Sequence, residues 1–172
     1  MKFIYKVALL LSFTILSSFM EFDKYSSEYT KLQKYELLAL KKNVIGKIYI
    51  YDLTKKEGCN KTKIKYLGTI KTNNGKRYKL LSSFFVFRAA STCHGSSSIK
   101  IYDMKNNYIG KYYVGMPYDL PDKIIDNHLI WVNSKNCNLR TTFSVDMKKG
   151  LPKNFFIPCS KDGGDITSFS NL

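Results

Sequence analysis

The residue types that can do covalent chemistry are concentrated in one short stretch. Cys93 and His94 are adjacent, and Gly95 and three serines follow them. A cysteine nucleophile needs a base close to it in space, but neighbouring residues on a strand point to opposite faces. The serines lack the glycine-flanked turn of a serine hydrolase. A disulfide is therefore the better interpretation of Cys93. An enzyme built on Cys93, His94 or His128 is the alternative.

Patterns that would hold a metal ion or a cofactor are weak. The chain has two histidines, His94 and His128, and contains no Cys-x-x-Cys or His-x-x-x-His spacing. Three acids, Asp119, Asp122 and Asp126, are close in sequence, but capping and solvation explain them. No glycine-rich phosphate loop is present. We therefore predict no catalytic residue, no metal site and no cofactor.

The four cysteines predict a disulfide framework. An even number of cysteines in an exported chain favours paired sulfurs over free thiols. Four cysteines allow three pairings, and the sequence does not choose among them. Loop length favours Cys59–Cys93 and Cys137–Cys159, because each pair closes a modest loop around a hairpin-like stretch.

Residues 1–18 are interpreted as an export signal. Lys2 and Lys6 form a short positive segment, an apolar run follows at residues 7–16, and Ser17 and Ser18 are small enough for cleavage. The run is shorter than the ~20 residues of a membrane span. Retention as an uncleaved anchor is the alternative. We expect an exported protein, periplasmic or secreted, with no membrane span once the signal is removed.

The charge of the chain limits the kinds of partner. The net charge is +15, and loss of Lys2 and Lys6 with the signal leaves +13. This excess attracts nucleic acids, anionic lipids and acidic glycans. Only three of the basic residues are arginines, the type that binds phosphates and bases bidentately. We expect weak non-specific polyanion binding and no specific nucleic acid. A lysine-rich binder of anionic surfaces is a further alternative.

The order of elements predicts a mainly β fold. Residues 19–43 form the N-terminal helix, which Asn43 can end, and residues 44–159 form a β-rich domain. Residues 119–127 are predicted to be a short helical turn, and residues 160–172 a flexible tail. Because no βαβ alternation occurs, the helix should pack on an antiparallel sheet of about seven strands. This disulfide-stapled sheet would be a curved sheet, a barrel or a sandwich.

Residues 96–114 form the hairpin around which the chain is organised. We predict a two-residue turn at residues 106–107, where asparagine tolerates positive φ. A four-residue turn would instead place Lys100 opposite Lys111, and directly opposed like charges are unfavourable. One apolar face then points to the core. The other face carries the candidate binding residues Lys100, Tyr102, Lys111 and Tyr113.

Other strands follow from turn chemistry and apolar runs. Residues 64–81 form a hairpin whose three-residue loop ends at Gly75 and places Ile70 opposite Tyr78. Residues 84–87 lack alternation and are predicted to be a central strand buried on both faces. Trp131 lies in a short strand and is expected in the core.

The sequence therefore indicates a small non-enzymatic binding protein. No acid, base, nucleophile and metal ligands occur together in a recognisable constellation. We expect an inhibitor- or immunity-like protein whose protein partner shares its exported compartment.

Overall fold

The computed structural model describes residues 30–54, 58–89, 91–132, 137, 142–160 and 163–171. The expected signal at residues 1–18 and the first part of the predicted helix lie outside these ranges. The chain divides into two compact units, Met1–Tyr35 and Glu36–Leu172. Within the described ranges, no helix combines the length and apolar character needed to cross a membrane.

Helix α1 covers residues 30–42 and contributes its last two turns to the second unit. Its end is confirmed at Asn43, which adopts a positive φ of +52°. The amide of Asn43 donates to the carbonyl of Ala39 at 3.2 Å. A left-handed residue at this position stops a helix and satisfies one of its last carbonyls, and asparagine tolerates that conformation.

The described part of the second unit forms two antiparallel sheets. The larger sheet has seven strands in the order β1-β2-β3-β4-β5-β10-β9, and the smaller has the order β6-β7-β8. A 3₁₀ turn at Pro117–Asp119 follows β5. The mainly β fold, with a seven-stranded antiparallel sheet and an N-terminal helix, is confirmed. Strands β1 to β10 are Ile48–Asp52, Lys61–Lys71, Arg77–Ala89, Thr92–Tyr102, Tyr108–Val114, Lys123–Ile125, His128–Trp131, Phe143–Asp146, Asn154–Pro158 and Gly164–Ser170.

The main core contains residues of both sheets and surrounds Trp131. The Trp131 ring is fully buried, with its centroid 5.4 Å from that of Phe143 and 5.9 Å from that of Phe155. Its indole N–H donates to the carbonyl of Asp119 at 2.8 Å, so the buried polar atom is satisfied. The other buried members are Leu67, Ile70, Leu80, Ile99, Ile101, Tyr112, Val114, Leu129, Val145, Met147 and Ile157.

Two disulfides tie loops to this framework. Cys59 bonds to Cys93, and Cys137 bonds to Cys159. These are the pairs that loop length favoured. The first joins the β1–β2 connection to the start of β4, and the second joins the segment after β7 to the end of β9. Both bonds therefore fix loops at the ends of strands.

The β2–β3 hairpin has the predicted register at its turn. Ile70 lies opposite Tyr78, and Gly75 has a φ of +82°. A bulge between Tyr66 and Gly68 then shifts the pairing by one residue. Side chains on the two sides of such a bulge change faces. Tyr66 consequently lies on the opposite face of the sheet from Ile70.

The predicted register of the β4–β5 hairpin is wrong. Lys100 lies opposite Lys111, which is the arrangement that charge repulsion argued against. The connecting loop is longer than two residues, and the Asp103 carboxylate accepts the amides of Lys105 and Asn107, each at 2.8 Å. The repulsion argument fails because Lys100 is buried against a carboxylate, Glu36, at 2.9 Å. The predicted and the observed registers differ by an even number of residues, so each side chain stays on its predicted face of the sheet.

The segment predicted to be a helical turn at 119–127 is instead mostly a hairpin. Beyond Asp119 the chain forms β6, which pairs antiparallel with β7. Asp126 and Asn127 make the turn, with φ of +47° and +62°. A two-residue hairpin turn of type I′ requires two positive φ angles, and Asp and Asn are among the side chains that tolerate them.

Residues Gly164–Ser170, expected to belong to a flexible tail, form strand β10 inside the larger sheet. β10 pairs with β9 on one side and with β5 on the other. The Phe169 ring packs 5.2 Å from the ring of Tyr112, which lies in the core. This half-buried ring anchors a segment whose other residues are mostly small and polar.

Residues 84–87 of β3 are not buried on both faces. They are half-buried, and the centre of the sheet is β4. The rings of Phe85 and Phe87 stack at 5.4 Å on one face. Phe84 is on the other face, since successive strand residues alternate.

Candidate functional site

The residues considered for an enzyme are not brought together. Cys93 is bonded to Cys59, so its sulfur is not a thiolate in this form. His94 Nε2 lies 2.8 Å from the hydroxyl of Thr92 on β4. His128, on β7 of the other sheet, lies 3.8 Å from a carboxylate oxygen of Asp146. Within the described ranges, no three His, Cys, Asp or Glu side chains are grouped to hold a metal ion.

The four candidate binding residues do not form one outward surface. Lys100 and Tyr102 are only 6% and 1% exposed, while Lys111 is half-buried and Tyr113 is 52% exposed. The Lys100 ammonium and the Tyr102 hydroxyl both donate to the carboxylate of Glu36, at 2.9 and 2.8 Å. These two residues therefore hold α1 against the sheet and are unavailable to a partner.

A different surface is open to solvent on β1, β2 and β3. Ile48 and Ile50 of β1 are 57% and 56% exposed, and they lie opposite Lys65 and Lys63 of β2. Lys63 in turn lies opposite the half-buried Phe84 of β3. We call this surface the groove face. It consists of Ile48, Ile50, Lys61, Lys63, Lys65, Phe84 and Val86.

A groove of about 510 Å³ runs beside the groove face. Its opposite wall is formed by the segment from Pro117 to Asp122 and by Val132. Lys65 joins the two walls, since its ammonium donates to the carbonyl of Asp122 at 2.9 Å. Apolar side chains form the larger part of the lining, and its polar members are Lys63, Lys65, Ser82 and Asp122.

The three lysines of the groove face differ in their partners. Lys61 pairs with Asp52 at 3.4 Å, and both side chains are exposed. Burial lowers the pKa of Lys65, and the negative charge of Asp122 opposes that change. Lys63 is exposed, and it has no carboxylate partner among the residues that the structure describes. Lys63 is thus an available cation between two apolar side chains, Ile50 and Phe84.

Among the described strands, β1 lies at one edge of the larger sheet. The amide of Leu53 donates to the carbonyl of Asn60 at 2.8 Å, which fixes which residues bond to β2. Because bonding alternates in an antiparallel pair, the amides and carbonyls of Ile48, Ile50 and Asp52 point away from β2. No described strand pairs with that outer side.

This surface was missed by sequence reasoning, although its strands were predicted. The alternation of isoleucine with tyrosine at residues 48–51 indicates a strand, but it does not tell which side chains are covered. In the structure Tyr49 is buried, with the ammonium of Lys42 5.1 Å from its ring centroid. Ile48 and Ile50, on the other face of the strand, are exposed.

No protein-family model, no curated protein and no solved structure matches this chain. The groove face and the open edge of β1 are therefore interpreted from their own geometry and chemistry.

Proposed function

We propose that this chain is an exported, non-enzymatic binding protein that captures an extended segment of a partner protein along strand β1. The partner segment adds a strand to the open edge, and its side chains on one face cover Ile48 and Ile50. An inhibitor- or immunity-like role follows where that partner is an enzyme or a toxin in the same compartment. The two disulfides suggest an oxidising compartment, in keeping with export.

The edge of β1, which no other described strand covers, is the observation that supports this proposal. Natural sheets protect their edges with short strands, lysines, prolines or bulges, because free backbone groups bind other chains. β1 is short, but its outward-facing side chains at positions 48 and 50 are apolar and more than half exposed. Main-chain hydrogen bonds would supply affinity, and the isoleucines would select side chains at alternate positions.

Charge indicates the composition of the partner segment. Lys63 lies next to Ile50 and lacks a carboxylate among the described residues. The net charge, +15 for the whole chain and +13 without Lys2 and Lys6, also favours encounter with an acidic partner. The preferred segment therefore alternates apolar side chains on the face toward Ile48 and Ile50 with at least one Glu or Asp that reaches Lys63.

The proposal is tested with an array of twelve-residue synthetic peptides that vary valine, glutamate and lysine at alternate positions. We expect acidic, alternating peptides to bind and to slow hydrogen exchange at Ile48, Ile50 and Asp52, measured by NMR. Ile50→Pro should abolish binding while the fold persists, because proline is tolerated where an edge amide points to solvent. Ile50→Val keeps the amide and should bind nearly normally.

The contribution of charge is tested with a matched pair of variants. Lys63→Glu should weaken peptide binding about tenfold, since it replaces an attraction with a repulsion. Lys153→Glu makes the same change near β9, at the opposite edge of the sheet, and should leave binding unchanged. An array without any binding peptide, or binding that leaves the β1 amides unprotected, would overturn the proposal.

A further inference from the structure

A second surface lies at the end of the molecule that holds the β2–β3 turn. The amide of Asn73 in this turn donates to the carbonyl of Lys148 at 2.7 Å. The side-chain oxygen of Asn127 accepts the amide of Lys71 at 2.6 Å. The β6–β7 and β8–β9 turns are therefore bonded directly to this hairpin. The basic side chains of the hairpin and of the β8–β9 turn are therefore held near one another.

Six cations surround the tip of this hairpin, on both faces of the sheet, and we call them the basic end. The side chains of Lys71, Lys76, Arg77 and Lys149 are exposed, and those of Lys79 and Lys148 are half-buried. Lys79 donates to the neutral side-chain oxygen of Asn106 at 2.8 Å. Within the described ranges none of the six forms an ion pair. The basic end is Lys71, Lys76, Arg77, Lys79, Lys148 and Lys149.

The nearby carboxylates offset only part of this charge. Asp103 is used by its own turn, where it accepts two amides and the side chain of Asn107. Asp146 accepts the amide of Lys148 at 2.7 Å, and it lies near His128. Asp126 is exposed beside Asn127. Six cations and three carboxylates leave the basic end with a net positive charge.

The types of side chain decide what kind of anion fits. Nucleic-acid surfaces combine arginine with exposed rings on which bases stack. The basic end has one arginine, and Tyr78, beside it in sequence, packs against the core. Lysines are flexible point charges that suit dispersed sulfate or carboxylate groups. We propose that the basic end binds a linear sulfated or carboxylated polysaccharide, independently of the β1 groove face.

The test measures binding of a heparin octasaccharide by calorimetry at physiological salt. Lys76→Gln combined with Lys149→Gln should reduce affinity roughly tenfold, because two unpaired charges are removed from the contact. Lys63→Gln combined with Lys153→Gln removes the same charge elsewhere and should change affinity less than about twofold. The melting temperature of each variant establishes that the fold persists.

Three outcomes would overturn the inference. In the first, the octasaccharide does not bind at physiological salt. In the second, both double variants lose affinity equally, which means that binding depends only on the net charge. In the third, a single-stranded DNA oligonucleotide of equal charge binds as tightly through Lys76 and Lys149, and the partner is then a nucleic acid. Peptide capture at β1 is unaffected in each case, so failure here is distinguishable from failure of the proposed function.

Discussion

Glu36 is the residue that organises the face of the sheet beneath the second half of α1. Its carboxylate accepts from Lys100, from the hydroxyl of Tyr102 at 2.8 Å and from the hydroxyl of Ser83 at 2.9 Å. All four residues are buried. A buried charge pair adds little stability by itself, but removal of one partner leaves an uncompensated charge. The cluster therefore specifies where the helix lies on the strands.

We predict that Lys100→Met destabilises the protein by about 3–5 kcal/mol, because the Glu36 carboxylate stays buried without a cation. Glu36→Leu together with Lys100→Met should recover at least ~1 kcal/mol, since no charge remains to be buried. Urea unfolding measures both changes. Lys111→Met, on the directly opposed lysine, is the control and should cost less than about 0.5 kcal/mol. If the loss of unfolding free energy in the double variant equals the sum of the losses in the two single variants, Glu36 and Lys100 are not coupled.

The β4–β5 hairpin shows how one side chain sets the geometry of an element. Asp103 accepts the amides of Lys105 and Asn107 and the side-chain amide of Asn107, the last at 2.7 Å. Asn106 adopts a φ of +69°, and a register shift beside Tyr102 completes the loop. A short polar side chain that bonds its own backbone two to four residues on stabilises a loop of this kind.

We predict that Asp103 titrates below its ordinary value. Hydrogen bonds from the amide and then the side chain of Asn107 lower the pKa of this carboxyl group. Since the folded-state pKa is depressed, the stabilisation is present above the unfolded-state pKa and is lost as pH falls through the folded-state pKa. A carbon-detected NMR titration measures it. Asn107→Ala should raise the pKa part of the way, and an ordinary pKa in the native protein would contradict the loop geometry.

Two disulfides constrain the whole second unit. The pairs Cys59–Cys93 and Cys137–Cys159 join residues 34 and 22 positions apart. By the loop-entropy model each bond contributes about 3–4 kcal/mol. The total is comparable to the whole stability of a typical domain. The fold therefore depends on the oxidation of its cysteines.

We predict that reduction lowers the melting temperature by at least ~10 °C, measured by calorimetry with and without dithiothreitol. The double replacement of Cys59 and Cys93 by serine should account for about half of the lost stability. In denaturant without reductant, a thiol reagent should find no free thiol. Two or more reactive thiols there would contradict the framework and return Cys93 to consideration as a nucleophile.

Features that depend on the local backbone were determined by the sequence itself. The end of α1 at Asn43 and the turn at Gly75 follow from which residues tolerate positive φ. The two disulfides that formed are the ones predicted from loop length. The strand around Trp131 and the burial of its ring follow from apolar alternation. The helix end and the turn involve interactions within a few residues, whereas the disulfides join cysteines 34 and 22 positions apart.

Only the tertiary structure decided which surfaces are covered. The burial of Lys100 required a carboxylate on a distant helix, so a repulsion estimated from neighbours on the sheet gave the wrong register. The position of β10 depended on contacts with distant strands, where Phe169 packs against the core and the buried Thr167 hydroxyl donates to the carbonyl of Tyr113. The exposure of Ile48 and Ile50 arises because β1 is at the edge of the sheet, and alternation is the same for covered and open faces. The sequence did not predict the proposed binding surface, because that surface depends on which strand faces other elements cover.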